Sequence, residues 1–267
     1  MLGAILGDII GSAYEVSPVK TKDFALFTPG SGFTDDTVLT VAVADTLMRG
    51  SDLVDTFYAY LERYPRVGWG RIFASWAKVK DPDPYNSWGN GAAMRVSPVA
   101  WFCQSLEEVL AVAERTAAVT HNHPDGIRSA QAVAGALFLA RHGRSKAEIR
   151  AFAARTGGYD LDRTLAGIRP GYDFKVDAIF SVPEALIAFL ESDGVEDAIR
   201  NAVSLGGDAD TQGCIAGAIA EGFHGPVPHD LAHEVLSRLD DFLRERVIAF
   251  CAQHVVPRRR EAAHGPA

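Results

Sequence analysis

Apolar positions along this chain recur at helical spacing, and the apolar–polar alternation of a half-buried strand is missing. The runs predict helices near residues 2–14, 37–49, 70–79, 91–103, 126–142, 183–192, 211–223 and 229–253. Start and stop signals agree with them. Gly50 stands just past the 37–49 run, where a left-handed residue closes a helix, and Ser51 can cap the next one. Ser105 with Glu108, Ser145 with Glu148, and Asp193 with Glu196 have capping-box spacing, each ahead of a helical run. The pattern predicts an all-α protein. No composition shift marks an internal boundary, so one domain is expected over residues 1–256 and a disordered tail over 257–267. Arg258, Arg259 and Arg260 in that tail read as a solvated charge run. Residues 157–182 are the least regular stretch and are expected to form a surface excursion.

Small residues refine this picture. Gly3, Gly7 and Gly11 share one face of the first helix, and Gly213 and Gly217, with Ala216 and Ala220, repeat the pattern late in the chain. Glycine inside a helix costs about 1 kcal/mol relative to alanine, so its repetition points to helices in close contact around a crowded centre.

Two acidic loops precede apolar helical runs: Thr34, Asp35, Asp36 and Thr37 in one, Gly206, Gly207, Asp208, Ala209, Asp210 and Thr211 in the other. N-capping accounts for one aspartate or threonine in such a place. Doubled aspartates in both loops point instead to a cation, because crowded carboxylates repel and resist desolvation until one is bound. The side-chain donors are oxygens, which suits Mg²⁺ or Mn²⁺ better than zinc. Four carboxylates can hold a pair of ions, roughly 3.5–4 Å apart in other two-metal sites. An EF-hand is excluded, because Gln212 and Ile219 stand where that loop needs oxygen ligands.

Asp8 and Glu15 are seven apart and share the face of the glycines. Each either reaches the metal site or satisfies a helix end or backbone amide; function is favoured for Glu15, and Asp8 is left open. The loop of Ser87, Trp88, Gly89, Asn90 and Gly91 enters a helix, offering backbone N–H groups to an anion, side-chain donors from Ser87 and Asn90, and a flat apolar face from Trp88. It is neither a P-loop nor a dinucleotide fingerprint. His121, in the polar loop 120–125, is read as a ligand contact, with a turn histidine as the alternative. No nucleophilic serine, cysteine or threonine system is evident.

Composition narrows the class. The 267 residues are enough for one large domain with a real core, and 48% hydrophobic with 22% charged residues is ordinary for a soluble globular chain. A net charge of −8 argues against general nucleic-acid or anionic-membrane binding. Cys103, Cys214 and Cys251 form no metal or redox pair and read as buried free thiols in a reducing cytoplasm. No signal peptide or apolar run of transmembrane length is recognisable.

Five motifs in order, GDIIGSAYE at 7–15, FTDDT at 33–37, SWGNGAAMR at 87–95, THNHP at 120–124 and GGDADT at 206–211, resemble the ADP-ribosylglycohydrolase family. The resemblance implies a compact, orthogonal multi-helix domain with a central cleft holding two Mg²⁺ or Mn²⁺ ions. By position it makes Thr34, Asp35, Asp36, Asp208, Asp210 and Thr211 metal ligands. Glu15 matches a mobile acid close to the metals. It is the first candidate for proton transfer, with the metal-site aspartates Asp36 and Asp210 next. Ser87, Gly89, Asn90, Gly91 and His121 match positions that contact ADP-ribose, and Trp88 and Gly207 complete the expected substrate set. The implied reaction is hydrolysis of the bond between ADP-ribose and an acceptor, either a protein side chain or a small molecule. A two-metal phosphoester or pyrophosphate hydrolase, and a non-catalytic ADP-ribose or partner binder, are the alternatives.

Overall fold

The computed structural model describes residues 1–255. Its order is α1 (Leu2–Glu15), α2 (Asp35–Arg49), α3 (Leu53–Arg63), α4 (Arg71–Val79), α5 (Gly91–Met94), α6 (Ser97–Phe102), α7 (Leu106–Ala118), α8 (Pro124–Arg141), α9 (Lys146–Gly157), α10 (Leu165–Ile168), α11 (Ala178–Leu190), α12 (Val195–Val203), α13 (Ala209–His224), α14 (His229–Arg238) and α15 (Asp241–His254). The fold is all-α. Among the described residues the only extended pairing is one antiparallel bridge between Gly89 and Asp177. The expected tail, 257–267, lies outside them.

The glycine face of α1 meets that of α13. A Cβ at Gly7 would stand 2.0 Å from the Gly213 carbonyl oxygen, one at Gly3 2.2 Å from that of Gly217, and one at Gly11 2.2 Å from that of Ala209. No side chain fits there, so the two backbones touch. Ile5, Leu6, Ile9 and Ile10 of α1 and Ile215 and Ile219 of α13 fill the surrounding core. The seam brings the C-terminal end of α1, which carries Glu15, to the N-terminal end of α13, which carries Asp208 and Asp210.

Several boundaries differ from the sequence expectation. Gly50 closes α2 at φ 64° as expected, but Asp52 caps α3 through the Asp55 N–H, and the Ser51 hydroxyl meets Thr56 instead. The box at Ser145 and Glu148 is complete. Ser105 caps α7, but Glu108 accepts from the Gln104 N–H, and α12 starts from Gly194 without a side-chain cap. The run 91–103 is two short helices. Pro98 has no N–H for the Met94 carbonyl and its ring would clash there; that carbonyl accepts from Thr40 Oγ1 (3.4 Å) and Cys214 Sγ (3.3 Å). The run 229–253 breaks where Leu239 turns extended and Asp240 caps α15. Helix α11 starts at Ala178, so Pro183 lies inside it. The stretch 157–182 is not merely a surface excursion, because Tyr172 packs where a Gly207 Cβ would otherwise lie, 2.4 Å away. Cys103 and Cys214 are buried free thiols, and Cys251 is only partly buried.

Candidate metal and ligand site

The seam, the start of α2 and loop 87–91 meet at one place. Carboxylate oxygens of Glu15, Asp208 and Asp210 lie within 4.8 Å of one another. Asp35 and Asp36 open α2 and feel the same charges. Burial, then the charges of Asp210 and Asp8, hold both well above the usual carboxylate range. Asp208 is raised in the same way, by burial and then Asp210. Glu15, half-buried, is pushed up to about 6 by burial and by Asp210. Asp36 is almost fully buried, and its Oδ1 has no hydrogen-bond partner. A set of oxygen donors with an unsatisfied, desolvated carboxylate oxygen fits a hard divalent cation.

Asp8 holds this arrangement from beneath. Its carboxylate accepts from the Thr34 N–H (3.0 Å), Thr34 Oγ1 (2.7 Å), the Thr37 N–H (3.1 Å) and the Thr37 hydroxyl. It thereby caps the N-terminus of α2 from a different helix, where both the free N–H groups and the helix dipole favour an anion. Burial and the Asp210 charge nevertheless push Asp8 up to about 7. Thr34 itself accepts from the Asp36 N–H at 3.2 Å. Thr211 is buried beside Asp210, whose Oδ1 accepts the Thr211 N–H (2.8 Å); its hydroxyl points to Met94 Sδ at 3.8 Å.

Loop 87–91 joins the acidic group through Asn90, whose Nδ2 donates to Asp208 Oδ2 at 2.6 Å. Its backbone is pinned on both sides. The Ser87 N–H donates to Thr120 O (3.2 Å), the Asn90 N–H to Val176 O (2.9 Å), and the Ala178 N–H to Trp88 O (3.1 Å). Trp88 is 55% exposed, with its indole N–H on Asp177 at 2.7 Å. His121 is buried, and a Cβ on Gly91 would lie 3.0 Å from its Nε2, so glycine at 91 leaves that ring nitrogen uncovered. Gly206 turns at φ +67°, and the Lys20 ammonium bonds the carbonyls of Leu205 and Tyr172 beside it.

Every candidate residue therefore lies on the α1, α2 or α13 ends, on loop 87–91 or on loop 120–125. Sequence reasoning missed Tyr172, which walls the site at Gly207 and whose hydroxyl accepts from Gln212 Nε2 (3.0 Å) and donates to Phe180 O (3.0 Å). It also gave no role to Arg95, which closes the SWGNGAAMR motif at 87–95 as a lone cation before an apolar run. A surface hollow of about 570 Å³ lined by Asp52, Tyr58, Glu62 and Lys80 shares no residue with the acidic group.

An all-helical fold that gathers carboxylates at helix ends and faces them with a glycine-rich donor loop defines the class. The family model of ADP-ribosylglycohydrolase matches residues 1–261, and the chain belongs to that family. It is similar to the ADP-ribosylhydrolase ARH3 of Mus musculus, at 26% identity over 84% of this chain and 82% of that protein. It is also similar to the ADP-ribosylarginine hydrolase Tri1 of Pseudomonas putida (strain GB-1), at 27% identity over 84% and 69%. Among solved structures, a chain described as an ADP-ribosylglycohydrolase-related protein complex superimposes with a TM-score of 0.70 at 27% identity, covering 93% of this chain and 95% of that one. No helix among the described residues is long and apolar enough to cross a membrane.

Proposed function

We propose that this protein hydrolyses the bond between the anomeric carbon of ADP-ribose and an acceptor, a protein side chain or a small molecule, releasing ADP-ribose. The observation that carries the reading is the convergence of Glu15, Asp208 and Asp210 directly beside loop 87–91. Thr34, Asp35, Asp36, Asp208, Asp210 and Thr211 are the residues that would hold two Mg²⁺ or Mn²⁺ ions. Bound there, the ions would polarise ribose hydroxyls and the attacking water.

The residues of the chain divide the remaining work. Ser87, Gly89, Asn90, Gly91 and Gly207 hold the ligand with backbone and side-chain groups around the acidic cluster, and His121 adds a ring nitrogen. Trp88 offers an exposed flat face to a base. Glu15, a half-buried carboxylate beside Asp208 and Asp210, is placed to take a proton from water or return one to the leaving group. Positive charge developing on the sugar ring in an oxocarbenium-like transition state would be stabilised by the surrounding carboxylates. The free thiols suit a reducing compartment such as the cytoplasm.

The test is a panel of arginine-, serine- and ester-linked ADP-ribose conjugates, assayed with Mg²⁺, with Mn²⁺ and with EDTA. Intact ADP-ribose as product, lost with EDTA, is expected. Release of AMP would make the protein a pyrophosphate hydrolase instead. Binding without turnover on every conjugate would make it a binder.

A further inference from the structure

The buried guanidinium of Arg95 plays no part in the reading above, yet it stands directly behind the ligand loop. Its Nη2 donates to the Thr116 carbonyl (3.1 Å) and to Thr120 Oγ1 (2.7 Å), and the group stacks over Phe57 at 4.7 Å. Thr120 Oγ1 in turn lies 2.8 Å from His121 Nδ1. We propose that Arg95 and Thr120 are positioning residues that lock His121 as its Nε2–H tautomer, with the ring N–H presented to loop 87–91 as a fixed donor.

The direction follows from what each group can do. Arginine only donates, so Thr120 Oγ1 must accept from it. The Tyr85 phenol lies beside the same hydroxyl and, as an O–H donor, is able to fill its other lone pair. A hydroxyl that accepts from a cation becomes a stronger donor, because hydrogen bonds in a chain polarise one another. The Thr120 proton therefore goes to Nδ1, and the ring's own proton stays on Nε2. Burial and the Arg95 charge also hold His121 well below the ordinary histidine range, so the ring stays neutral while Arg95, lowered only to about 10, stays charged. Nε2 is the atom nearest a Cβ built on Gly91, and it lies 3.8 Å from one built on Gly89. A neutral N–H aimed there suits an oxygen acceptor, a phosphate or ribose oxygen of the ligand, and gives the same hydrogen bond across the neutral pH range. The ligand part rests on the reading of loop 87–91 as the ADP-ribose site; the tautomer does not.

The experiment is long-range ¹H–¹⁵N NMR on the full-length protein labelled at histidine, with ADP-ribose titrated by calorimetry. His121 is expected as Nε2–H in wild type from pH 6 to 8. Thr120→Val keeps the shape and removes the hydroxyl; it should populate the Nδ1–H form and weaken ADP-ribose by about tenfold. Thr120→Ser should restore both. Arg95→Met should also mix the tautomers; should it fail to fold, the Thr120 pair still decides. An Nδ1–H ring in wild type, or an unchanged tautomer in Thr120→Val, overturns the proposal. A tautomer that responds as stated in a protein that binds no ADP-ribose would uphold the lock and refute the ligand reading alone.

Discussion

The aspartates of α1 and of the N-terminal ends of α2 and α13, and the set of Arg95, Thr120 and His121 behind loop 87–91, are both largely buried, yet they are charged in opposite ways. On the acidic side carboxylates crowd one another, and their donors, such as Asn90 Nδ2 on Asp208 and the Thr211 N–H on Asp210, bring no positive charge. Asp36 keeps an oxygen with no partner, and burial, then the charge of Asp210, raises Asp8, Asp35, Asp36 and Asp208 together. On the basic side Arg95 Nη2 donates to Thr120, which meets His121, while Arg95 Nε and Nη1 have no partner and the ring is held neutral. Each wall thus keeps one unpartnered buried group of opposite kind, a carboxylate oxygen of Asp36 and the N–H groups of Arg95, and burying such groups is costly. In the proposed reading the first wall takes a ligand that brings positive charge and the second one that brings oxygen acceptors.

The largest effect should come from the acidic side. Asp36→Ala or Asp210→Ala is expected to reduce turnover to the level left by EDTA and to weaken Mg²⁺ and Mn²⁺ binding in calorimetry. In the metal-free state the same variants should melt higher than wild type, because a repelling carboxylate is gone. Unchanged metal affinity in both would show that the two walls do not differ in the way described.

Glu15→Gln comes next, since it removes charge and proton transfer but keeps size. A fall in kcat of about 10²-fold is expected, with ADP-ribose affinity nearly unchanged. Near-normal kcat with metals bound would leave Glu15 structural and move proton transfer to an aspartate.

On the other wall, Ser87→Ala and His121→Ala should each weaken ADP-ribose by about tenfold while leaving metal binding intact. Equal affinity in wild type and both variants would place the nucleotide elsewhere. Loss of metal in either would mean that the walls are one unit.

The smallest effect is a pH dependence of the metal-free protein. Asp8 and Glu15 have folded pKa values raised to about 7 and about 6, above ordinary carboxylate values of 3.8 and 4.5. The folded state therefore binds more protons than the unfolded one between about pH 4 and 7, and stability falls as pH rises through that window. Thermal melts in EDTA should give a Tm a few degrees higher at pH 5 than at pH 7.5, and saturating Mg²⁺ should shrink the gap. A higher Tm at pH 7.5 in EDTA would contradict the account of the acidic wall.

The doubled aspartates and the glycine face were legible in the sequence because each is local: carboxylates crowd within a few residues, and glycines repeat every four. Long-range partners were not. Asp8 was readable as an acid on the packing face, but its job of capping α2 depends on Thr34 and Thr37 arriving from another helix. Tyr172 gave no periodic signal, because its contact with Gly207 comes from the tertiary path of an irregular segment. The division of 91–103 was written in Pro98 and overridden in the reading by the apolar run on either side of it.

The contact of Gly11 with Ala209 has a mechanical consequence. It acts as a pivot with no soft material in it, since two backbones meet where side chains would otherwise absorb an error. Glu15 is one turn further along the same rod. At 1.5 Å per residue that is a lever arm of about 6 Å, so a tilt of about 10° at the pivot displaces the backbone at Glu15 by roughly 1 Å. An offset of that size is enough to cost about 10²-fold in a reaction that depends on alignment. In the proposed reaction the tolerance of Glu15 would therefore be set one turn back along its helix, by a glycine packed on the backbone of α13.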